Sequence, residues 1–222
     1  MKKFTYIDLA ALLIWLIPVI YLFFVYASLP ETVPMHYGMD GKVNRYGNKS
    51  ELITLVAIML GTQLFVYLLL RFLPGIDPKK QVKSGEGTFQ KLALGIVFFI
   101  SALVIAIIFS TAHKGIKIDK LILPLTGLLF AFMGNIMHSI KPNYFAGIRT
   151  PWTLESEDTW RVTHRLAGKL WFVGGIILTV LTLLLPPEAA TVVFMCGVGI
   201  IVFIPVIYSY IYFKKHQPDQ NS

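Results

Sequence analysis

The chain has 222 residues, of which 55% are hydrophobic and only 14% are charged, and its mean hydropathy is +0.67. Soluble globular domains carry about 25% charged residues, so this composition excludes a soluble domain and indicates an integral membrane protein. The single cysteine excludes an intrachain disulfide and a multi-cysteine metal site, and the net charge of +8 needs an explanation.

Six apolar windows are long enough to cross a bilayer as helices, which requires about 20 mostly apolar residues. The first window is too long for the apolar part of a signal peptide and is interpreted as an uncleaved helix. We therefore predict an all-α membrane protein with six transmembrane helices. The windows cover roughly residues 7–27, 51–71, 92–111, 121–140, 170–186 and 190–213.

The basic residues predict the orientation of these helices. If the N-terminus is cytoplasmic, 14 of the 20 Lys and Arg residues fall on the cytoplasmic side, as the positive-inside rule requires. Six spans then place both termini in the cytoplasm. The positive charge is explained by topology and by contact with membrane lipid, and the chain shows no basic patch on a recognisable nucleic-acid fold. We expect a multi-pass protein of the bacterial plasma membrane that does not bind nucleic acid directly.

The first outer loop, residues 28–50, combines aromatic, basic and turn-forming residues. Asp40-Gly41 between two short aromatic-bearing runs is typical of a hairpin turn. His36 and Asp40 have too few neighbouring ligands for a metal site, and none is predicted. The loop is either a compact plug that ties the first two spans together or a ligand-binding face. In the second case the candidate toxin- or ligand-binding residues are His36, Tyr37, Arg45 and Tyr46.

The inner loop, residues 141–169, lies between the fourth and fifth spans and is rich in Trp, Arg and Thr. Ser156 is a good N-cap, so we predict an amphipathic helix that starts there and continues into the fifth span. Glu157 and Arg161 have the spacing of a favourable ion pair. One face of this helix carries Trp160, His164, Ala167 and Trp171, with Arg161, Arg165 and Lys169 beside it. Two interpretations remain open: an interfacial anchor with Trp at the headgroup level, or a surface that binds a partner.

The amino-acid sequence of this loop resembles a motif of a known protein family. GIRTPWTL at residues 147–154 and WRVTHRLAGKLW at residues 160–171 are similar to the signature of the SdpI family of bacterial immunity proteins. The outer loop likewise resembles a module of unassigned role at the start of many SdpI-like proteins, on the pattern of Pro34, His36, Tyr37 and Gly41. We expect two units: an N-terminal membrane module at residues 1–91, and an SdpI-like module at residues 92–222.

The resemblance implies two activities. One is protection of the cell from a secreted peptide toxin, met on the outer face. The other is capture of a transcriptional repressor at the cytoplasmic face, which makes the chain a signal transducer. The candidate partner-binding residues of the inner loop are Arg149, Thr150, Pro151, Trp152, Trp160, Arg161, His164, Arg165 and Lys169.

Other function classes find less support in the sequence. We find no H-E-x-x-H helix, no G-x-S-x-G elbow and no Walker loop, so an enzyme is not expected, and no cofactor is predicted. A small-molecule or peptide transporter is the alternative. Ion-coupled transporters carry ionisable residues within their spans, whereas Asp8, Arg71 and His138 lie near predicted span ends.

Overall fold

The computed structural model describes residues 4–38, 43–77, 85–113 and 115–216. Within these ranges, six helices are long and apolar enough to cross a membrane, which confirms the predicted fold class. Helix α5 is a short turn of helix in the inner loop, and a two-stranded antiparallel hairpin follows α1. The elements are α1 Tyr6–Val25, β1 Thr32–Tyr37, β2 Val43–Asn48, α2 Lys49–Ile76, α3 Glu86–Ala112, α4 Asp119–Met137, α5 Pro151–Glu155, α6 Glu157–Leu184 and α7 Pro187–His216.

Polar residues at the helix starts fix where several helices begin. The Thr5 and Asp8 side chains form a reciprocal capping box at α1, and Asn48 with Glu51 does the same at α2. Helix α2 extends beyond the predicted second window at residues 51–71 and continues through Pro74 to Ile76. A proline so near the end of a helix removes only one of its last backbone hydrogen bonds.

The helices form two packed groups. Helices α1 and α2 pack against α3, whereas α4 and α7 pack against α6, and α3 meets α4 where the groups join. The boundary predicted between residues 91 and 92 falls inside α3, whose main packing partners are the helices that precede it. Five helix ends lie together at one end of the bundle: the start of α1, the end of α2, the start of α3, the end of α4 and the start of α6.

The contact between α4 and α6 is made through residues with little or no side chain. A Cβ atom added to Gly134 would lie 2.3 Å from the backbone nitrogen of Phe172, and one added to Gly175 would lie 2.4 Å from that of Ala131. Close backbone approach through small residues is a main source of helix association in membranes, where lipid competes for apolar contacts. This interface fixes the position of the inner loop, because the loop joins the same two helices.

The orientation of the bundle in the membrane is a prediction that labelling can test. In a Cys196→Ser background, a cysteine at Glu155 is expected to resist a membrane-impermeant maleimide in intact cells, because the inner loop is assigned to the cytoplasm. A cysteine at Glu188, an equally exposed glutamate at the opposite end of the bundle, is the matched control and is expected to label. Labelling at Glu155 but not at Glu188 would reverse the topology.

Candidate functional site

The inner loop has a defined structure that begins with the buried side chain of Asn143. Its Oδ1 accepts hydrogen bonds from the backbone nitrogens of Phe145 (2.7 Å) and Ala146 (2.8 Å). Its Nδ2 donates to the carbonyl oxygens of Lys141 (2.8 Å) and Ala146 (3.1 Å). One amide therefore satisfies four backbone groups that no helix or strand pairs, which holds the loop in a single compact turn.

The next part of the loop docks onto the start of α6 through His164. The backbone nitrogen of Ile148 donates to His164 Nε2 (3.1 Å), so the ring is neutral with its proton on Nδ1, which donates to the Trp160 carbonyl (2.8 Å). Gly147 has a φ of +112°, and a Cβ there would lie 2.4 Å from His164 Nε2. Only glycine fits both the backbone conformation and this close approach.

Trp160 lies beneath the loop and joins it to α4. Its ring stacks on His164 with centroids 4.0 Å apart, and its Nε1 donates to the Ile140 carbonyl (2.8 Å). Trp160 is 2% exposed, so the expectation that it sits among lipid headgroups is wrong. The indole instead packs with Met137, Ile140 and Ala167 because this end of α6 is covered by the loop.

A short helical turn, α5, carries the motif's Thr-Pro-Trp-Thr stretch and contacts α7. Thr150 caps this turn, Pro151 occupies its first position, and Thr153 donates to the Ile148 carbonyl (2.8 Å). Trp152 Nε1 donates to Ser209 Oγ (2.7 Å), and its ring meets Tyr210 edge-on at 5.1 Å. The motif thus fastens the loop to three helices, α4, α6 and α7.

The basic residues of α6 form the exposed side of the same region. Arg161, Arg165 and Lys169 are all exposed. Arg161 pairs with Asp158 (2.5 Å) rather than with Glu157, so the predicted partner was wrong by one residue. Both members of the pair are exposed, which makes its contribution to stability small. A groove of about 560 Å³ runs beside Arg161 and Arg165. It is lined by His138, Ile140, Lys141, Pro142, Glu157, Asp158, Trp160, Arg161, His164 and Arg165.

The structure divides the predicted partner-binding residues into two sets. Trp160 and His164 are buried and support the loop from beneath. Thr150 and Trp152 are half-buried within the loop's own contacts. The exposed set offers charge and surface to a partner and consists of Arg149, Pro151, Arg161, Arg165 and Lys169.

The outer hairpin is confirmed as a hairpin and is firmly attached to the bundle. Val33 is fully buried against Leu52, Val104 and Ile108 of α2 and α3. Lys49 Nζ at the start of α2 forms an ion pair with Glu31 Oε1 just before β1 (2.7 Å). The predicted turn at Asp40-Gly41 lies outside the described residues. These contacts fit the plug interpretation, and they also hold the outward side of the hairpin in place.

The four predicted hairpin residues differ in exposure. His36, Arg45 and Tyr46 are exposed, with Tyr46 at 63%, and the His36 ring lies 2.6 Å from Asn44 Oδ1. The Tyr37 side chain instead lies beside Ser110 of α3 and is half-buried, and this burial raises the pKa of its hydroxyl. Arg45 forms an ion pair with Glu51 of the α2 capping box. The outward face therefore consists of His36, Arg45 and Tyr46.

Sequence reasoning missed one ionisable cluster within the candidate spans. Arg71 Nε donates to Asp8 Oδ1 (2.7 Å), Arg71 Nη2 donates to Asp8 Oδ2 (3.1 Å), and Tyr67 Oη donates to Asp8 Oδ1 (2.5 Å). The sequence did contain a signal for this pair. Asp8 lies near the start of the first span and Arg71 near the end of the second, so both lie at the same face of the membrane. Among the described residues, no group of three or more His, Cys, Asp or Glu side chains is arranged to hold a metal ion.

These features define the class of protein: a multi-pass α-helical membrane protein with an ordered, polar loop docked at one end of its bundle and a hairpin at the other. Residues 139–209, which contain that loop, match the model of the SdpI/YfhL protein family, and this confirms the resemblance seen in the sequence. Residues 13–60, which contain the hairpin, match a domain of unknown function, DUF1648.

Two relatives illustrate the similarity. The chain is 25% identical over 193 residues to "Immunity protein SdpI" of Bacillus subtilis, a match that covers 86% of this chain and 87% of SdpI. It is 42% identical over 50 residues to an uncharacterized protein of Archaeoglobus fulgidus, covering 22% of this chain and 25% of that protein. No solved structure matches the chain. Six apolar helices and the similarity to SdpI support a multi-pass bacterial membrane protein.

Proposed function

We propose that the chain is a membrane immunity protein that protects its cell from a secreted peptide toxin. The similarity to SdpI of Bacillus subtilis carries this proposal, because it extends over nearly the whole of both chains. The architecture is compatible with binding as the mode of action. Both polar regions are ordered by the bundle itself, so each presents a preformed surface, which lowers the entropic cost of binding a partner.

The toxin is assigned to the hairpin side of the protein. The loop at residues 28–50, which contains the hairpin, is the longest of the predicted outer loops. The hairpin is attached to the bundle through Val33, while Tyr46 and Arg45 are exposed. An exposed tyrosine beside an arginine is the composition that binding hot spots favour. The toxin would meet this surface first as it reaches the membrane from outside.

The test is survival of cells that carry hairpin variants. Tyr46→Ala is expected to lower the toxin concentration that the cells survive by about ten-fold, the effect of losing roughly 1.4 kcal/mol of binding free energy. Tyr6→Ala, which removes an exposed tyrosine at the opposite end of the bundle, is the matched control. Both variants are compared at equal membrane abundance with an SDP-type peptide toxin. Full resistance in Tyr46→Ala cells would return the hairpin to a purely structural role.

We assign a second activity, recruitment of a transcriptional repressor, to the inner loop. The exposed basic residues Arg161, Arg165 and Lys169 follow one side of α6, and the first two line a groove of about 560 Å³. A repressor with an acidic surface would be complementary to these three basic residues. The loop that packs on α6 holds the helix in place and so fixes the spacing of the charges. The assignment predicts that a gene for a small helix-turn-helix protein lies beside the gene for this chain.

A peptide or small-molecule transporter is the second candidate. One observation favours it: the Asp8–Arg71–Tyr67 cluster lies within candidate spans beside a cavity of about 350 Å³. Ionisable groups at such positions often belong to transport pathways. Labelled toxin separates the two functions, since an immunity protein that binds toxin retains it at the membrane, whereas an exporter depletes it from the cells.

A further inference from the structure

A long cleft opens where the two groups of helices meet. Because α3 packs mainly on α1 and α2, and α4 mainly on α6, the contact between α3 and α4 is less complete and leaves a cavity of about 630 Å³. A second cavity of about 530 Å³ continues it and shares Ile14, Phe98, Leu125 and Leu128 with the first. The two cavities follow α4 along its 19 residues, about 28 Å at 1.5 Å per residue. That length matches the hydrocarbon thickness of a bilayer, about 30 Å.

The walls of the cleft are mostly apolar between its two ends, and Lys120 lines the end farthest from the inner loop. Phe98 is 62% exposed and Leu128 is 48% exposed, although both lie in the middle of their helices. The remaining apolar lining residues of the first cavity are Ile14, Leu94, Phe99, Leu125, Leu129, Phe132 and Ile136. An exposed apolar channel of this length suits an extended hydrocarbon chain, because the chain fills it without any polar partner.

The end of the cleft at the inner loop is polar and positively charged. Lys91, Thr88, His138 and Ser139 line its mouth. Asn135 is an exposed amide one turn further into the membrane, and it lines both this cleft and a neighbouring cavity of about 400 Å³.

The neighbouring cavity adds two further positive charges to the same end. It shares Asn135 and His138 with the cleft and is also lined by Arg165 and Lys169. None of the described residues that line the two cavities is acidic. Nor does Lys91, Arg165 or Lys169 form an ion pair within the described ranges. Positive charge that no carboxylate of the described residues pairs with, directly above an apolar channel, is the complement of an anionic amphiphile.

We infer that this cleft is a binding site for a phospholipid with an anionic headgroup. The phosphate lies between Lys91 on one side and Arg165 with Lys169 on the other, Asn135 and His138 hydrogen-bond to headgroup oxygens, and one acyl chain follows the apolar channel past Phe98 and Leu128. Basic pockets between membrane helices bind acidic headgroups in this way. The lipid joins the N-terminal and C-terminal helix groups where their own packing is weakest. This site is additional to the proposed immunity function, and it shares Arg165 and Lys169 with the surface proposed for repressor recruitment.

Native mass spectrometry of the full-length protein in detergent tests the headgroup site. Phosphatidylglycerol is expected to remain bound in preference to phosphatidylethanolamine with the same acyl chains. Lys91→Gln and Lys169→Gln are each expected to lower the bound fraction of phosphatidylglycerol about five-fold, which corresponds to about 1 kcal/mol per charge. Lys215→Gln removes one exposed charge from the same end of the bundle, away from the cleft, and is expected to leave binding unchanged.

A second pair of variants tests the acyl channel without changing charge. Leu128→Trp fills the cleft and is expected to remove retention of the lipid, whereas Ile200→Trp on the exposed side of α7 is not. Thermal unfolding of each variant confirms that it is folded. Equal retention of the two headgroups, an equal loss in Lys215→Gln, or unchanged binding in Leu128→Trp would overturn the site. Retention of glycerol phosphate as strong as that of the lipid would assign the charges to a soluble anion instead.

Discussion

Valine at Gly175 or Gly134 is expected to lower the free energy of unfolding by about 3 kcal/mol or more, the upper range for overpacking. A Cβ at either position lies less than 2.5 Å from backbone atoms of the facing helix, and backbone atoms cannot turn aside as a side chain can. Helices α4 and α6 must therefore separate. Since they carry the inner loop between them, resistance and recruitment are expected to fall together with stability.

The chain offers a matched control for this experiment. Gly61 lies within α2, and an added Cβ there meets no atom within 4 Å. Gly61→Val is expected to change stability by no more than about 0.5 kcal/mol, the usual range for an exposed site. Thermal unfolding in detergent, followed by fluorescence-detected gel filtration, measures all three variants. A Gly175→Val protein as stable as the Gly61→Val protein would mean that α4 and α6 do not approach as closely as described.

Reversal of Arg161 and Arg165 to glutamate is expected to abolish repressor recruitment while toxin resistance persists. Both residues are exposed, and Arg161 makes only a solvent-exposed pair with Asp158, so the fold does not depend on them. At a partner surface, however, like charges placed together cost several kcal/mol, and about 3 kcal/mol is already more than a hundred-fold in affinity. The buried supports of the loop, Trp160 and His164, are left intact.

Recruitment and resistance are measured in the same cells, by the localisation of a fluorescently tagged candidate helix-turn-helix repressor and by survival with toxin. The control is Lys214→Glu with Lys215→Glu, which makes the same charge change on the last turn of α7. If the arginines only anchor the helix to lipid, reversal disorders the loop and both activities fail. Loss of both activities, or of neither, contradicts a partner-docking role.

The sequence by itself determined the class and the helix pattern. Six continuous apolar windows of about 20 residues predict helices in a bilayer, because a helix of that length spans the hydrocarbon and pairs its N–H and C=O groups within its own segment. Local polar residues also predicted where a helix begins. Ser156 caps the start of α6 as predicted, and the loop around Asn143 and Pro151 carries the sequence that resembles the SdpI family. Asp40-Gly41 between two short aromatic-bearing runs likewise predicted the hairpin that β1 and β2 form.

Only the tertiary structure decided which side chains of the candidate site are exposed to a partner and which are buried. The interfacial pattern of Trp160 and His164 is the same whether they face lipid or protein, and the loop folded over them settles the matter because Ile148 and Ile140 supply their hydrogen-bond partners. The Asp8–Arg71 pair joins residues 63 positions apart, and Trp152 meets Ser209 across 57. The cleft beside α4 arises from how two groups of helices meet. Contacts of this kind depend on packing between distant segments, which local spacing and composition do not encode.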